Sequence, residues 1–160
     1  MFAGWEGEPG LADASVHEAV ARVAAATAAL LPLGDAAAVV MSGSGTSGRF
    51  AFFLARALNL VLQQLQRAPV FHYLTAGDDQ ALFMSKEAPE DNWVIGRDRL
   101  VACCEGKTRV LFIGITCGLS APFVASQLEH ALDHPDQVPK KKKKKKKKKE
   151  KKGEKEMKKK

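Results

Sequence analysis

The sequence predicts an α/β fold, in which a parallel sheet carries helices on both faces. Two observations lead to this prediction. Short apolar runs rich in strand-forming residues alternate along the chain with longer stretches of helical character. Two of those runs also lead into loops of small residues, at 42–47 and 116–120, from which a helical stretch then departs. Since strands that alternate with helices are joined by right-handed crossovers, the strands are expected to be parallel.

The first half of the chain predicts two helices and one strand. Ser15 and Glu18 have the spacing of a capping box, and the Ala-rich stretch that follows favours a helix to Leu31. Pro32 and Gly34 are expected to end it. The short apolar run 36–41 predicts the first strand, and a second apolar helical pattern extends from Phe50 to about Leu65.

The second half predicts two more strands and their helices. The run 70–74 is rich in strand formers, and a short helical piece, 80–87, and a helix, 93–105, follow it. The continuous apolar run 109–115 predicts a strand that is buried on both faces. A Pro near the first helical position then begins a last helix, 121–132.

The loop between the first strand and its helix is the strongest functional signal. Ser42, Ser44, Thr46 and Ser47 offer hydroxyl groups where a helix begins, and a helix N-terminus presents unpaired N–H groups and a positive dipole. The combination predicts an anion site, most simply for phosphate, although the spacing alone also fits a plain connecting loop. No Lys follows the last glycine as in a Walker A motif. No acidic residue stands about 20 positions on for a ribose, so a phosphorylated small molecule is favoured over a nucleotide.

The second loop, 116–120, also leaves the carboxyl end of a predicted strand. Ligands of parallel α/β sheets bind outside the carboxyl ends of the strands, so the two loops could meet over one ligand. We predict neither a cofactor nor a metal site, because the four His and three Cys show no ligand spacing. The odd Cys count fits a reduced compartment.

Charge divides the chain into three parts. The segment 140–160 holds sixteen Lys and three Glu, a charge of +13, so residues 1–139 carry −6 of the total of +7. We therefore predict a disordered Gly-rich N-terminus, 1–10, one folded domain, 11–138, and a disordered lysine-rich tail, 139–160. The folded part gives no reason to expect specific nucleic-acid binding, although the tail would bind polyanions or serve as a nuclear-localisation patch. No apolar run reaches about 18 residues and no basic segment opens the chain, so neither a membrane span nor a secretory signal is expected.

Four segments of the chain resemble the sugar-isomerase (SIS) modules of two related families. These families are the glucokinase regulatory proteins and the bacterial N-acetylmuramic acid 6-phosphate etherases. The matching segments occur in the family order and extend over about 15–135: GSGTSGR at 43–49, YLTAG at 73–77, EAPEDN at 87–92 and IGITCGLSAPFVA at 113–125. The resemblance implies a doubly wound SIS-type fold, of which this chain would hold the first of two modules and end within it.

Two positions separate the families. The etherases carry a catalytic Glu eight residues after the motif's Arg49, and this chain has Ala57 there. The second etherase carboxylate matches Glu90, and one half of an acid–base pair is a poor catalyst of that elimination. The second loop also looks like that of the regulatory proteins. The resemblance therefore implies a phosphosugar-binding regulator that is not an enzyme, with an etherase-like enzyme as the alternative.

The resemblance also implies roles for individual residues and partners. The ligand-binding residues of the family match Ser44, Thr46, Ser47, Glu90, Thr116, Gly118 and Ser120. The hydroxyl and backbone groups would bind the phosphate, and the carboxylate would accept hydrogen bonds from sugar hydroxyls. Fructose phosphates and glucokinase are the implied partners, in the cytoplasm, the nucleus or both. The second module and the helical cap of the family would complete the ligand site and supply most of the kinase-contacting surface.

Overall fold

The computed structural model describes residues 9–84, 89–118 and 120–136. The predictions for residues 1–8 and for the lysine-rich tail lie outside these ranges, as does the end of the short helical piece. The elements follow one another in this order: α1 Ala14–Leu30, a 3₁₀ turn Leu31–Ala36, β1 Ala37–Gly43, α2 Gly45–Gln64, β2 Phe71–Thr75, α3 Gln80–Phe83, a 3₁₀ turn Pro89–Asp91, α4 Trp93–Cys104, β3 Arg109–Ile115 and α5 Pro122–Asp133.

The three strands form one parallel sheet in the order β2-β1-β3. All seven residues of the central strand β1 are buried. Because side chains alternate along a strand, β1 packs into apolar cores on both faces of the sheet. On one face, Val39 packs with Leu30 of α1, and Met41 packs with Ala51 and Ala55 of α2.

The opposite face of β1 packs against the last two helices. Val40 lies in a cluster with Leu100 of α4 and Ala131 of α5. Near the carboxyl ends of the strands, Phe123 of α5 extends this core. The predicted α/β fold, with a parallel sheet and helices on both faces, is therefore confirmed.

Two sequence-based expectations about element boundaries were wrong. Helix α1 begins at Ala14 with Asp13 as the N-cap residue, so the capping box on Ser15 does not form. The carboxylate of Glu18 instead lies 3.7 Å from Arg22 on the same helix. Helix α2 begins at Gly45, five residues before the expected start. Thr46 and Ser47 of the first loop therefore lie in the first turn of a helix, Ser44 is its N-cap residue, and Ser42 lies in β1.

The expected burial of β3 on both faces is met only in part, because its side chains pack into cores on both faces but only Val110 is fully buried. Within the described residues β3 is an edge strand, and Gly114 and Arg109 are exposed while its central residues are only partly buried. The strand with complete burial is β1. An apolar run indicates that its side chains prefer to be buried, but it does not indicate which strand lies at the centre of a sheet.

Helix α1 and the turn after it form a stretch, Ala14–Ala36, that is long and apolar enough to cross a membrane by length and composition alone. A helix of a soluble core and a signal sequence near the N-terminus satisfy the same test, so this is weak support for a span. The sequence-based expectation of no such stretch was too strict, because it required an unbroken apolar run. Here α1 reaches the sheet through the buried side chain of Leu30.

Candidate functional site at the carboxyl edge of the sheet

The register of the sheet brings the ends of its three strands together. Gly43, the last residue of β1, pairs with Thr75 at the end of β2 and with Ile115 at the end of β3. The loops that follow these strands therefore leave from one edge. This is the edge at which ligands of parallel α/β sheets bind.

Two glycines hold the N-terminus of α2 against this edge. A β-carbon on Gly48 would lie 2.2 Å from Oγ1 of Thr75 and 2.9 Å from the carbonyl oxygen of Gly43. A β-carbon on Gly43 would lie 2.7 Å from the backbone of Ser47 and 2.9 Å from the carbonyl oxygen of Ile115. No side chain fits at either position, so these glycines set how closely the first loop approaches the strand ends.

The first loop is the N-terminal turn of a 20-residue helix. Ser44 is the N-cap residue in extended conformation, and its carbonyl accepts from the N–H groups of Ser47 at 3.0 Å and Gly48 at 3.3 Å. The N–H groups of Gly45 and Thr46 have no helical carbonyl one turn before them to donate to, which leaves them available to an anion. Gly45 adopts a φ of 52°, a conformation that glycine reaches without strain.

The predicted hydroxyl groups of this loop differ in accessibility. Thr46 is exposed, and Ser47 is half-buried. The hydroxyl of Ser44 is enclosed and has no hydrogen-bond partner among the described residues. A buried hydroxyl without a partner is costly, so Ser44 is the residue of this turn with most to gain from a bound acceptor.

The second loop leaves β3 beside the first. Thr116 is half-buried directly after the strand, and Gly118 is exposed with a φ of 75°. The exposed hydroxyl of Ser120 lies 3.5 Å from the carbonyl oxygen of Cys117, which is a weak interaction. Residue 119 lies outside the described ranges. The donors of this loop are therefore close to solvent.

Glu90 belongs to a third segment of the same edge. It is exposed in the 3₁₀ turn Pro89–Asp91. Pro89 packs against the turn after β2, since its side chain would lie 3.2 Å from a β-carbon on Gly77. The structure thus brings the first and second loops together at the strand ends. Among the described residues, no hydrogen bond or ion pair joins Glu90 to either loop, so the assignment of the seven residues as ligand contacts stays a prediction.

Sequence reasoning missed a polar cluster next to this turn. The hydroxyl of Tyr73 donates to Asp79 at 2.7 Å, and Arg99 pairs with Asp78. Desolvation, followed by the hydrogen bond and the charge of Asp79, raises the pKa of Tyr73 to about 12. A cavity of 230 Å³ lies among these side chains and Thr75. The available signal was the pair Asp78-Asp79 shortly after a strand-forming run.

The position that distinguishes the two families lies far along α2. Ala57 is exposed, and it follows the first helical residue by twelve positions, or about 18 Å at 1.5 Å per residue. A carboxylate at this position would therefore not reach the first loop of the same chain. The catalytic argument from Ala57 stays a prediction. Within the described ranges, no group of three or more His, Cys, Asp or Glu side chains could hold a metal ion.

Comparison with known proteins identifies the fold and its family. Residues 21–132 match the family described as the glucokinase regulatory protein N-terminal SIS domain. The chain belongs to this family. The resemblance to SIS modules of the regulatory kind is therefore confirmed, and the domain contains the first loop, the acidic turn and the second loop described above.

Named relatives agree with this assignment. The SIS domain is 44% identical over 122 residues to a glucokinase regulatory protein of Xenopus laevis, which covers 76% of this chain and 20% of that protein. The corresponding protein of Mus musculus is 40% identical and that of Homo sapiens 38% identical, each over 120 residues that cover 75% of this chain and 19% of the relative. The chain thus spans about a fifth of the length of the curated relatives it matches. These relatives are named as regulatory proteins rather than as enzymes.

Proposed function

We propose that this SIS domain binds fructose phosphates as part of a regulatory protein and has no catalytic activity of its own. The observation that carries the proposal is the register of the strand ends. Gly43 lies opposite Thr75 and Ile115, so the N-terminus of α2 and the loop after β3 leave from neighbouring points. Helix N–H groups and hydroxyls at one edge have the chemistry of a phosphate site.

The proposed roles follow from chemistry and accessibility. The first turn of α2, with Ser44, Thr46 and Ser47, and the second loop, with Thr116, Gly118 and Ser120, would donate to phosphate oxygens. The Glu90 carboxylate would accept from sugar hydroxyls. Its exposed position at the rim of the edge is compatible with a ligand that is partly open to solvent.

The first experiment measures binding of fructose 6-phosphate and fructose 1-phosphate to the full chain by calorimetry. Loss of a hydroxyl that bonds a charged phosphate costs about 1.5–3 kcal/mol, so Ser120→Ala should weaken binding by roughly tenfold to a hundredfold. Thr27→Ala is the matched control. Thr27 lies near the C-terminal end of α1. This end of α1 faces the amino-terminal part of β3, since Leu30 and Arg109 line one cavity, and it therefore lies away from the carboxyl ends of the strands.

Two outcomes would overturn the phosphate role of the second loop. One is an unchanged affinity for Ser120→Ala, and the other is equal weakening by Thr27→Ala. Binding should also be measured in a chain extended by the remaining domains of a relative, because the part that matches this chain covers only about a fifth of each relative. Fructose itself, without phosphate, should bind to neither protein.

The proposed partner is glucokinase. The relatives are named as its regulators, and the extended protein should inhibit the kinase in a fructose 6-phosphate-dependent manner. Inhibition that persists after Ser120→Ala, without any dependence on sugar phosphate, would separate kinase binding from the proposed ligand site. A location in the cytoplasm, the nucleus or both is proposed with this role, and fractionation of cells that express the chain would test it.

The alternative function is an etherase-like enzyme, and it predicts release of lactate from N-acetylmuramic acid 6-phosphate. We expect none, because the position of the catalytic acid holds Ala57 and only Glu90 is left of the carboxylate pair. Lactate formation above background by purified protein would refute the non-enzymatic proposal.

A further inference from the structure

A large cavity in the described part of the chain lies away from the carboxyl edge. It has a volume of about 720 Å³ and runs along the outer edge of β2, below α2 and beside Cys103 of α4. None of its lining residues belongs to the loops 42–48 or 116–120. Small-molecule sites typically have volumes of about 300–1,000 Å³, so this cavity is of the right size for one.

Part of the edge of β2 is closed against strand addition. The side-chain amide of Asn59 donates to the carbonyl oxygen of Phe71 at 2.7 Å, and the N–H group of Phe71 donates to Oδ1 of Asn59 at 3.1 Å. This pair occupies the backbone groups with which another strand would begin to pair. The cavity is therefore better suited to a compact ligand than to an extended peptide.

Flat apolar surfaces form one wall of the cavity. Phe52 and Tyr73 pack edge to face with ring centroids 5.0 Å apart, and Phe71 adds a third ring. Aromatic rings in this arrangement favour stacking against another flat apolar group. The wall therefore favours a ligand with an aromatic body.

The charged side chains that line the cavity are positive. Arg56 and Arg67 line the cavity, both are exposed, and neither forms an ion pair within the described ranges. No Asp or Glu is among the lining residues. Guanidinium groups bind carboxylates and phosphates through paired hydrogen bonds, so the two arginines favour an anionic group at the rim.

One residue that lines the cavity also has a buried polar atom without a partner. Nε2 of His72 is enclosed and forms no hydrogen bond with the described residues. Burial, and then the charge of Lys107, lowers the pKa of His72, so its ring is neutral near pH 7. A neutral imidazole can donate to or accept from a polar group on a ligand, and such a contact would remove the cost of the unpaired atom.

We propose that this cavity is a second ligand site, which binds a small aromatic anion such as an aryl phosphate or an aryl carboxylate. The aromatic wall would hold the ring, Arg56 and Arg67 would bind the anionic group, and His72 would contact a polar atom of the body. The proposal is independent of the fructose phosphate site, since the two share no residue.

The test uses 1-naphthyl phosphate as the probe and the full chain at about 0.15 M salt, where long-range attraction to the lysine-rich segment is screened. Nuclear magnetic resonance is the readout, because it assigns binding to individual amides. We expect shifts centred on Asn59 and Tyr73. Arg56→Gln and Arg67→Gln should each weaken this binding by about fivefold to tenfold.

The matched control is Arg97→Gln, which removes the same charge from an exposed position of α4 outside the cavity. It should leave the affinity unchanged. The lysine-rich segment is the same in every variant, so differences between them isolate the cavity.

Three outcomes would overturn the proposal. The first is an absence of shifts at the cavity. The second is equal weakening by Arg97→Gln and Arg56→Gln, which would assign binding to net charge. The third is equal binding of the probe and of either 1-naphthol or inorganic phosphate, which would show that the ring and the charge are not recognised together.

Discussion

Replacement of Gly48 by Ala tests how the first loop is held at the strand ends. A β-carbon at this position would lie 2.2 Å from Oγ1 of Thr75, and 2.9 Å from both Cβ of Thr75 and the carbonyl oxygen of Gly43, whereas ordinary contacts begin at 3.4 Å. Thr75 is only 6% exposed and is paired with Gly43 in the sheet. Rotation of the threonine would move its oxygen but not its β-carbon, so the backbone must shift.

The expected magnitude follows from two opposing terms. Overpacking of a tight site typically costs about 1–3 kcal/mol. Replacement of Gly by Ala inside a helix returns up to about 1 kcal/mol. Since the clash involves backbone and a buried branched side chain, we expect the cost near the upper end, and a net loss of about 2 kcal/mol. This corresponds to roughly a thirtyfold fall in the ratio of folded to unfolded protein.

Urea denaturation of single and double variants measures this effect. Gly45→Ala is the comparison, since a β-carbon there has no neighbour within 4 Å and only the positive φ of 52° opposes it, at about 1–2 kcal/mol. Thr75→Ala should recover about 1 kcal/mol in the Gly48→Ala background and should be additive with Gly45→Ala. A neutral Gly48→Ala, or strict additivity with Thr75→Ala, would refute close packing of the loop on the end of β2.

Three further predictions concern stability. Both polar atoms of the Gln127 side-chain amide are buried without a partner within the described residues, so Gln127→Met should raise the free energy of unfolding by about 1–3 kcal/mol. Gln64 is exposed, and as the control Gln64→Met should change that free energy by less than about 0.5 kcal/mol. A loss of stability in Gln127→Met would show that the amide is hydrogen-bonded. Asn59→Ala should lower the free energy of unfolding by about 1–3 kcal/mol because it leaves an N–H and a carbonyl of β2 unpaired, and an unchanged urea midpoint would contradict this. Burial, and then Lys107, lowers the pKa of His72 below 6.5, so the unfolded chain binds more protons and stability should fall as the pH drops below 6.5. His72→Gln should flatten that profile, and an identical profile in both proteins would exclude the histidine as its source.

The sequence predicted the fold well because its elements are locally encoded. Alternation of strand-forming and helical stretches was sufficient for the parallel sheet with helices on both faces. The start of α2 was missed because apolar periodicity begins only at Phe50, whereas the first helical turn consists of small polar residues. Ser44 as an N-cap residue was the signal that could have located it.

The sequence predicted the candidate site only in part. It identified the two loops, because small hydroxyl residues at strand ends have a direct chemical meaning. It could not identify the cavity beside β2, since that cavity needs the contact between Asn59 and Phe71 and residues from separate elements. It also could not assign β3 to an edge, because the position of a strand within a sheet depends on pairing between distant segments.

The most direct test of the account is a nuclear magnetic resonance titration of the full chain with fructose 6-phosphate. The account predicts shifts at the amides of Gly45, Thr46 and Gly118, which fructose does not produce and which Thr116→Ala weakens. Inorganic phosphate at the same concentration provides the reference for binding to the lysine-rich segment. Shifts confined to that segment, or equal shifts with inorganic phosphate, would contradict a sugar phosphate site at the carboxyl edge of the sheet.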